Sequence, residues 1–579
     1  MVSRRRERRS VMGDESSPSM ATLHKATFHM VRYYFPALVV TICCIAFTPL
    51  QQDVAYDVVL RDGMIYDGTG GKPFRGDIAI RKERIVAVGH VGSIRAKREI
   101  RITGLAVAPG FINMLSWADQ SLLLDGRSLS NIKQGVTLEV LGEGWSPGPI
   151  RRNLKKPVDS MWTTLGGYFH WIEKKGISPN VASFVGATTV RVHELGKANR
   201  PPTPQELQRM KKLVAAAMED GAMGLGSALI YAPADYASTE ELIELAKVAS
   251  AYGGMYATHI RSEGDYILKA LDEALRIARE AEIPSEIHHL KVNLSRNWSK
   301  MDTVLAKIDS ARQAGLKITA NHYPYIASAT GLTARLPNWV QEGGDTQMRR
   351  RLRDPKIRAR VLREMREGIP YKNSPPESVR LLGFRLDSLD RLFKGKRLDE
   401  IARIYGKDED QTVIDLLLTD RTSIPSVYYQ QSEANVRKVV ALPYVSFCSD
   451  APSMSDARAF EGWATHPRTY GSFARILGKY VREENILTLH EAIRKMTGLP
   501  ASNLKLVDRG LIREGYFADL AIFDPKTITD NATFENPRLY ATGMIHVFVN
   551  GVQVLENGEH TGALPGRVIR GPGYRRKSR

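Results

Sequence analysis

Cysteine is scarce: only Cys43, Cys44 and Cys448 occur in 579 residues. That excludes a disulfide scaffold and a four-cysteine zinc module. Long hydrophobic runs are missing too. The apolar stretch at 35–47, FPALVVTICCIAF, has 13 residues, short of the roughly 20 that span a bilayer as a helix. Acidic residues are outnumbered, 63 Asp and Glu against 82 Lys and Arg, giving a formal charge of +19. The excess sits at the chain ends. Residues 1–33 carry seven bases against three acids, and residues 567–579 carry six bases and no acid, so the ends supply +10 of the total. What remains is spread over more than 500 residues, which is a mildly basic surface rather than a nucleic-acid footprint. No nucleic-acid partner is expected.

What is present is a chain with 43% hydrophobic residues, enough for a large core. A basic start followed by the run at 35–47 and then by Gln51, Gln52 and Asp53 has the form of a secretory signal. Residues 1–52 are therefore read as a signal peptide or membrane anchor, and the protein as exported, periplasmic or extracellular. If the segment is not cleaved it is an N-terminal membrane association.

From residue 111 onward, short apolar runs alternate with segments of helical period. Strands are expected at 111–115, 137–142, 181–186, 223–229, 255–260, 286–291, 317–323 and 445–450. Helices between them carry start and stop signals. Thr203 with Glu206 reads as a capping box before Leu207, Met210 and Val214, with Gly221 as the stop, and Ser238 with Glu241 opens the next helix. Eight such strand–helix units predict an α/β fold, a (β/α)8 TIM barrel. About 120 residues separate the last two strands, too long for an ordinary connection, and predict an inserted subdomain. Alternating runs on both sides of the barrel, YDVVLRDGMIYDGTG and DIAIRKERIVAVG before it and ADLAIFDP and IHVFVNGVQVLENG after it, predict a small β-sandwich built from both chain ends. The expected division is 53–108 and 505–560 for the sandwich, 109–340 and 430–504 for the barrel, 341–429 for the insertion and 561–579 for a basic tail.

Barrels do their chemistry where strands end at the carboxyl face. His259 closes the fifth predicted strand and His289 the sixth, one strand–helix unit apart. Glu143 follows the second strand between Gly142 and Gly144, and Asp450 ends the eighth. A single strand histidine is more often a packed core residue, which is the reading for His288. Four such groups on four strands of one barrel face make a zinc site with an open position, two imidazoles and one or two carboxylates.

Several stretches give the chain a family resemblance: VAPGFIN (107–113), QGVTLEVLGEG (134–144), YATHIRSEGD (256–265), HHLKVNLSRNWSKM (288–301), YPYIASATGL (323–332), SDAP (449–452), HPRTYGSF (466–473) and LVDRGLIREGYFADLAIFDP (506–525). Through these the chain resembles the amidohydrolase superfamily and, within it, the N-acyl-D-amino-acid deacylases, or D-aminoacylases, over roughly residues 55–575. The resemblance implies the barrel, the sandwich from both chain ends and the insertion. It also implies a metal-dependent hydrolase that attacks the amide of an N-acyl amino acid, of D configuration, with metal-activated water. His259 and His289 match metal ligands, Asp450 matches the general base, and Lys291, Arg296 and Tyr323 match positions that bind the substrate carboxylate.

Two departures stand out. At the positions of the superfamily's His-x-His this chain has Leu115 and Trp117, and at the D-aminoacylase cysteine ligand it has Gly144. Glu143 is expected to replace that cysteine, and one Zn2+ per chain is expected instead of two. The competing readings are a catalytically inactive barrel that binds acyl-amino acids or peptides, and a related cyclic amidase.

Overall fold

The expected runs become the staves of a closed barrel. In the computed structural model, which describes residues 56–92, 96–151, 161–367 and 374–575, the eight barrel strands are Phe111–Asn113, Val136–Leu141, Asn180–Ser183 continued by Val185–Gly186, Gly224–Ala228, Met255–His259, Ser285–Ile287, Ile318–His322 and Val445–Phe447. All neighbours pair in parallel. The first and eighth strands close the ring through the Asp450 amide, which donates to the Leu115 carbonyl at 2.9 Å, and a parallel bridge between Ser116 and Ala451. The signal-like segment at 1–52 lies outside the described residues.

Local chemistry explains the helices. Thr203 Oγ1 accepts from the Glu206 amide at 3.3 Å while Glu206 Oε2 accepts from the Thr203 amide at 2.8 Å, so two orphan donors of the helix Pro204–Asp220 are satisfied together. Gly221 ends that helix at φ 108°. Ser238 caps Thr239–Ala251, which buries Leu242, Leu245, Ala246 and Ala249. A buried ion pair ties the helix Ala187–Leu195 to Thr239–Ala251: Arg191 NH1 donates to Glu241 Oε2 at 2.5 Å, with side chains 1% and 3% exposed. Removing one partner strands the other charge in the core. Glu241→Ala is therefore expected to cost about 3–5 kcal/mol in a denaturant titration, whereas a change within about 0.5 kcal/mol, typical of surface sites, would show that the pair is not a stability determinant.

Both chain ends meet in a single nine-stranded sheet. Ala106–Pro109, from the N-terminal side, pairs antiparallel with Leu520–Phe523 from the C-terminal side, Val107 opposite Ile522. The sheet branches at Tyr56–Ile65, whose two halves take Ala96–Arg101 and Ala106–Pro109 as parallel neighbours while Phe74–Arg81 pairs along its other edge. Leu60, Ile78, Val107, Leu520, Ile522 and Phe548 form its buried cluster. The predicted half-sets of strands are thus joined edge to edge.

Between the seventh and eighth barrel strands the chain builds a three-stranded antiparallel sheet, Ala327–Gly331, Pro425–Tyr429 and Val379–Leu381, flanked by helices that include Asp345–Arg353, Pro355–Glu367 and Glu409–Asp420. Its apolar side chains form a cluster of their own, from Leu332 to Tyr428.

The sixth and eighth barrel strands fall furthest short of their expected ends, and the reason bears on the site. After Ile287 and after Phe447 the backbone leaves the ladder, and His289 and Asp450 take φ values of 35° and 50°. A non-glycine residue with positive φ is uncommon and is held there by its surroundings. His289 is held by the Asn321 side chain, whose Oδ1 accepts from the His289 amide at 2.8 Å. Asp450 is held by the hydrogen bond that its backbone N–H donates to the Leu115 carbonyl.

Candidate metal centre and active site

Gly142-Glu143-Gly144 turns sharply off the second strand. Gly142 has φ 102°, and a Cβ there would lie 2.4 Å from the Phe184 carbonyl oxygen. Gly144 has φ 79°, and a Cβ there would lie 2.8 Å from Ala228. The turn therefore needs both glycines, and it leaves Glu143 as the side chain that can enter the barrel mouth. This geometry favours the carboxylate at 143 over any side chain at 144 as the candidate ligand.

Three donor atoms converge. Glu143 Oε1 lies 3.0 Å from His259 Nδ1 and 3.1 Å from His289 Nε2, and the two nitrogens are 3.0 Å apart. A tetrahedral zinc ion about 2.0–2.1 Å from each ligand requires donor atoms roughly 3.3 Å apart, so the cluster fits one ion after a shift of a few tenths of an ångström. Two imidazoles and one carboxylate are also the donor set of a catalytic zinc site with an open fourth position. The side chains are 6%, 2% and 8% exposed for His259, His289 and Glu143.

The electrostatics favour a cation here. Burial alone would raise the Glu143 carboxyl, but the two imidazoles hold it well below the ordinary carboxylate range. Burial and Lys291 oppose a charge on His289, yet Asp450, Glu263 and Glu143 together push it up to about 9. Burial pushes His259 the other way, below the ordinary imidazole range, so of the two rings His289 is the one that the neighbouring acids hold charged. A metal ion held by these three side chains would take the place of that proton, since a histidine ligand must be neutral.

Glu263 supports His289 from behind. Its Oε1 lies 2.9 Å from His289 Nδ1, and Asn293 Nδ2 donates to its Oε2 at 3.0 Å; His259 Nε2 lies 3.6 Å from the same oxygen, beyond hydrogen-bond reach, and has no hydrogen-bond partner among the described residues. A carboxylate on the far nitrogen fixes the tautomer and orientation of a metal-binding imidazole. Lys291 Nζ lies 2.8 Å from His289 Nδ1, bonds Glu263, and sits 5.5 Å from the Tyr323 ring centroid.

Asp450 lies in the same pocket, which is lined also by Trp117, Tyr231, Lys291 and Tyr323. Its Oδ2 accepts from Arg468 NH1 at 2.5 Å, while its Oδ1 has no hydrogen-bond partner among the described residues. Burial raises its carboxyl against the pull of Arg468 and His289. The Arg468 guanidinium is itself buried, 4.5 Å from the Tyr323 ring centroid and 5.2 Å from that of Trp117. Tyr323 Oη accepts from Gln431 Nε2 at 3.1 Å. Arg335, Tyr428 and Gln430, all from the chain between the seventh and eighth strands, line the pocket as well.

Glu143, His259, His289, Asp450, Lys291 and Tyr323 are therefore brought together as the sequence predicts. Arg296 is not. Its half-exposed guanidinium forms a two-point ion pair with Asp265, Nε to Oδ1 at 2.8 Å and NH2 to Oδ2 at 2.7 Å, and it does not line the pocket. The chain after the sixth strand turns outward into the short helix Ser295–Asn297, which carries Arg296 away. His288 points into the core, its Nδ1 2.9 Å from Asn321 Nδ2. Leu115 is buried with Tyr323, Tyr325 and Cys448. Sequence reasoning missed Glu263 and Arg468, although both lie in stretches that carry the resemblance, 256–265 and 466–473. A polar residue four positions after His259, and a lone arginine in HPRTYGSF, were the available signals.

The comparisons agree with this barrel. The amidohydrolase family model matches residues 445–555. The D-aminoacylase of Alcaligenes xylosoxydans xylosoxydans is 32% identical over 523 residues, covering 89% of this chain and 97% of its own length. A solved D-aminoacylase structure, described in terms of a binuclear metal centre with one-metal activation and second-metal attenuation, is 31% identical, covers 89% of this chain and 100% of its own, and superposes with a TM-score of 0.75. The N-acyl-D-glutamate deacylase of Bordetella bronchiseptica, solved with zinc and a phosphonate mimic of the tetrahedral intermediate, is 28% identical with 89% and 99% coverage and a TM-score of 0.75. The fold and the matches make this an amidohydrolase. The chain belongs to the D-aminoacylase family.

Proposed function

We propose that this protein hydrolyses the amide bond of small N-acyl-D-amino acids, using one divalent ion, zinc, held by Glu143, His259 and His289. The observation that carries the reading is the convergence of three donor atoms within 3.1 Å beside an acid, Asp450, that keeps one oxygen unpartnered. When bound, such an ion supplies Lewis acidity, lowering the pKa of water and polarising a carbonyl.

The chain's own residues account for the rest. Arg468 fixes Asp450 Oδ2, which leaves Oδ1 to take a proton from the attacking water and return it to the leaving amide nitrogen. Lys291, Arg468 and Tyr323 offer two cations and a hydroxyl for the free α-carboxylate of the substrate. The carboxylate anchored there and the reacting carbonyl at the donor cluster fix two points of the substrate. The walls contributed by Tyr231, Arg335 and Tyr428 supply further contacts, and a chiral centre held by three contacts is read in one hand. The D preference is the one its relatives' names carry.

Hydrolysis of N-acetyl-D- and N-acetyl-L-leucine by zinc-loaded protein tests the reading. Release of amine from the D enantiomer is expected, and metal-loaded protein inert toward both would leave the binding-protein reading in front. Lys291→Met is expected to lower kcat/KM about 10- to 150-fold, from the roughly 1.5–3 kcal/mol of a charged hydrogen bond, with little change for a substrate whose α-carboxylate is replaced by methyl. Equal losses on both substrates would show that Lys291 acts only through His289.

We further propose export. The basic start and the apolar run at 35–47 support it, and N-terminal sequencing of protein recovered outside the cytoplasm tests it, a start beyond residue 47 being the expected result.

A further inference from the structure

Glu143 has two carboxylate oxygens and uses only one on the imidazoles. A carboxylate so placed could bridge two cations, Oε1 to one and Oε2 to the other. Here Oε2 accepts instead from the indole Nε1–H of Trp117 at 2.8 Å. The surroundings of that second position are unsuited to another ion. Leu115, two residues earlier on the same strand end, packs into an apolar cluster with Tyr323, Tyr325 and Cys448. The Arg468 guanidinium lies over the Trp117 ring, and it already holds Oδ2 of Asp450. A fixed cation therefore stands beside the indole, where it repels a second one.

We propose that Trp117 is a positioning residue that takes the place of a second cation, orienting Glu143 by a neutral hydrogen bond so that the centre holds one ion at any metal concentration and escapes second-metal attenuation. The proposal rests on the one-ion reading above and deepens it. With Oε2 satisfied by the indole, Oε1 is kept turned toward His259 and His289, which is the role that outer hydrogen bonds play for metal ligands generally. A neutral donor also leaves the charge of Arg468 free of a neighbouring cation.

The test is a metal titration of the apo full chain with zinc, and with cobalt as a spectroscopic probe, for wild type, Trp117→Phe and Trp117→His. Wild type is expected to take up one equivalent, with no second binding phase and no loss of hydrolysis in excess zinc. Trp117→Phe keeps an aromatic ring but lacks the indole N–H, and its ion affinity should fall about 10- to 100-fold, the range for lost outer-shell partners, with the metal-free protein still unfolding in one cooperative transition. Trp117→His should admit a second, weaker equivalent. Two equivalents bound by wild type, or unchanged affinity in Trp117→Phe, would overturn the proposal. Should Trp117→Phe fail to fold, the wild-type stoichiometry and the Trp117→His titration still decide it. Wild type that binds neither zinc nor cobalt would defeat the one-ion reading itself, a result distinct from either of those.

Discussion

Purified Glu143→Ala protein is expected to contain no stoichiometric metal and to hydrolyse N-acetyl-D-amino acids at background rate. Two features set the size of this effect. Glu143 supplies the only carboxylate among the three convergent donors, and without it two buried imidazoles are left to hold a dication. The loss in affinity should exceed the roughly 10- to 100-fold of an outer-shell change, because a ligand itself is removed. Placing Gly144→Cys in the Glu143→Ala background is not expected to restore binding. A side chain at 144 meets Ala228 and must adopt a φ of 79°, which L residues rarely take. Recovery of both metal and activity in that double variant would show that the loop can present a ligand from either position, and would remove the structural reason for assigning the role to Glu143.

Asp450→Asn should behave in the opposite way with respect to metal. It is expected to retain about one ion per chain and to lose roughly 10²- to 10⁴-fold in kcat, the usual contribution of a positioned general base. The amide can still accept from Arg468, so the Arg468 anchor is kept and the loss reports the missing proton acceptor. Metal analysis and steady-state kinetics on the same preparation separate the two variants: one lacks the ion, the other lacks the base. Full activity in Asp450→Asn would mean that another group takes the proton, with Glu263 the nearest carboxylate behind the histidines.

The barrel was legible because its strands are continuous apolar runs with turn signals at regular spacing, and each of the eight runs contains or overlaps an observed strand. The helix starts at Thr203 and Ser238 were legible because a cap is a local interaction, complete within four residues. Other features depend on contacts that sequence does not display. His289 and Asp450 lie beyond the ends of their ladders in left-handed backbone, a conformation imposed by Asn321 and Leu115 from other strands. Arg296 fits the motif as a cation, but Asp265 and the outward course of its loop remove it from the pocket. Arg468 lies 18 positions after Asp450, and only the fold brings the two side chains together. Trp117 could be read from sequence as a lost ligand. Its hydrogen bond to Glu143, which gives that loss a consequence, could not.

The most direct measurement adds zinc to metal-free protein while following release of amine from N-acetyl-D-leucine and its L enantiomer. Hydrolysis of the D substrate is expected to rise in proportion to added zinc, to break at one equivalent per chain and to stay level beyond it, with the L substrate far slower. Zinc binding at one equivalent with no hydrolysis of either enantiomer, or hydrolysis that is unaffected by removing the metal, would contradict the proposed function.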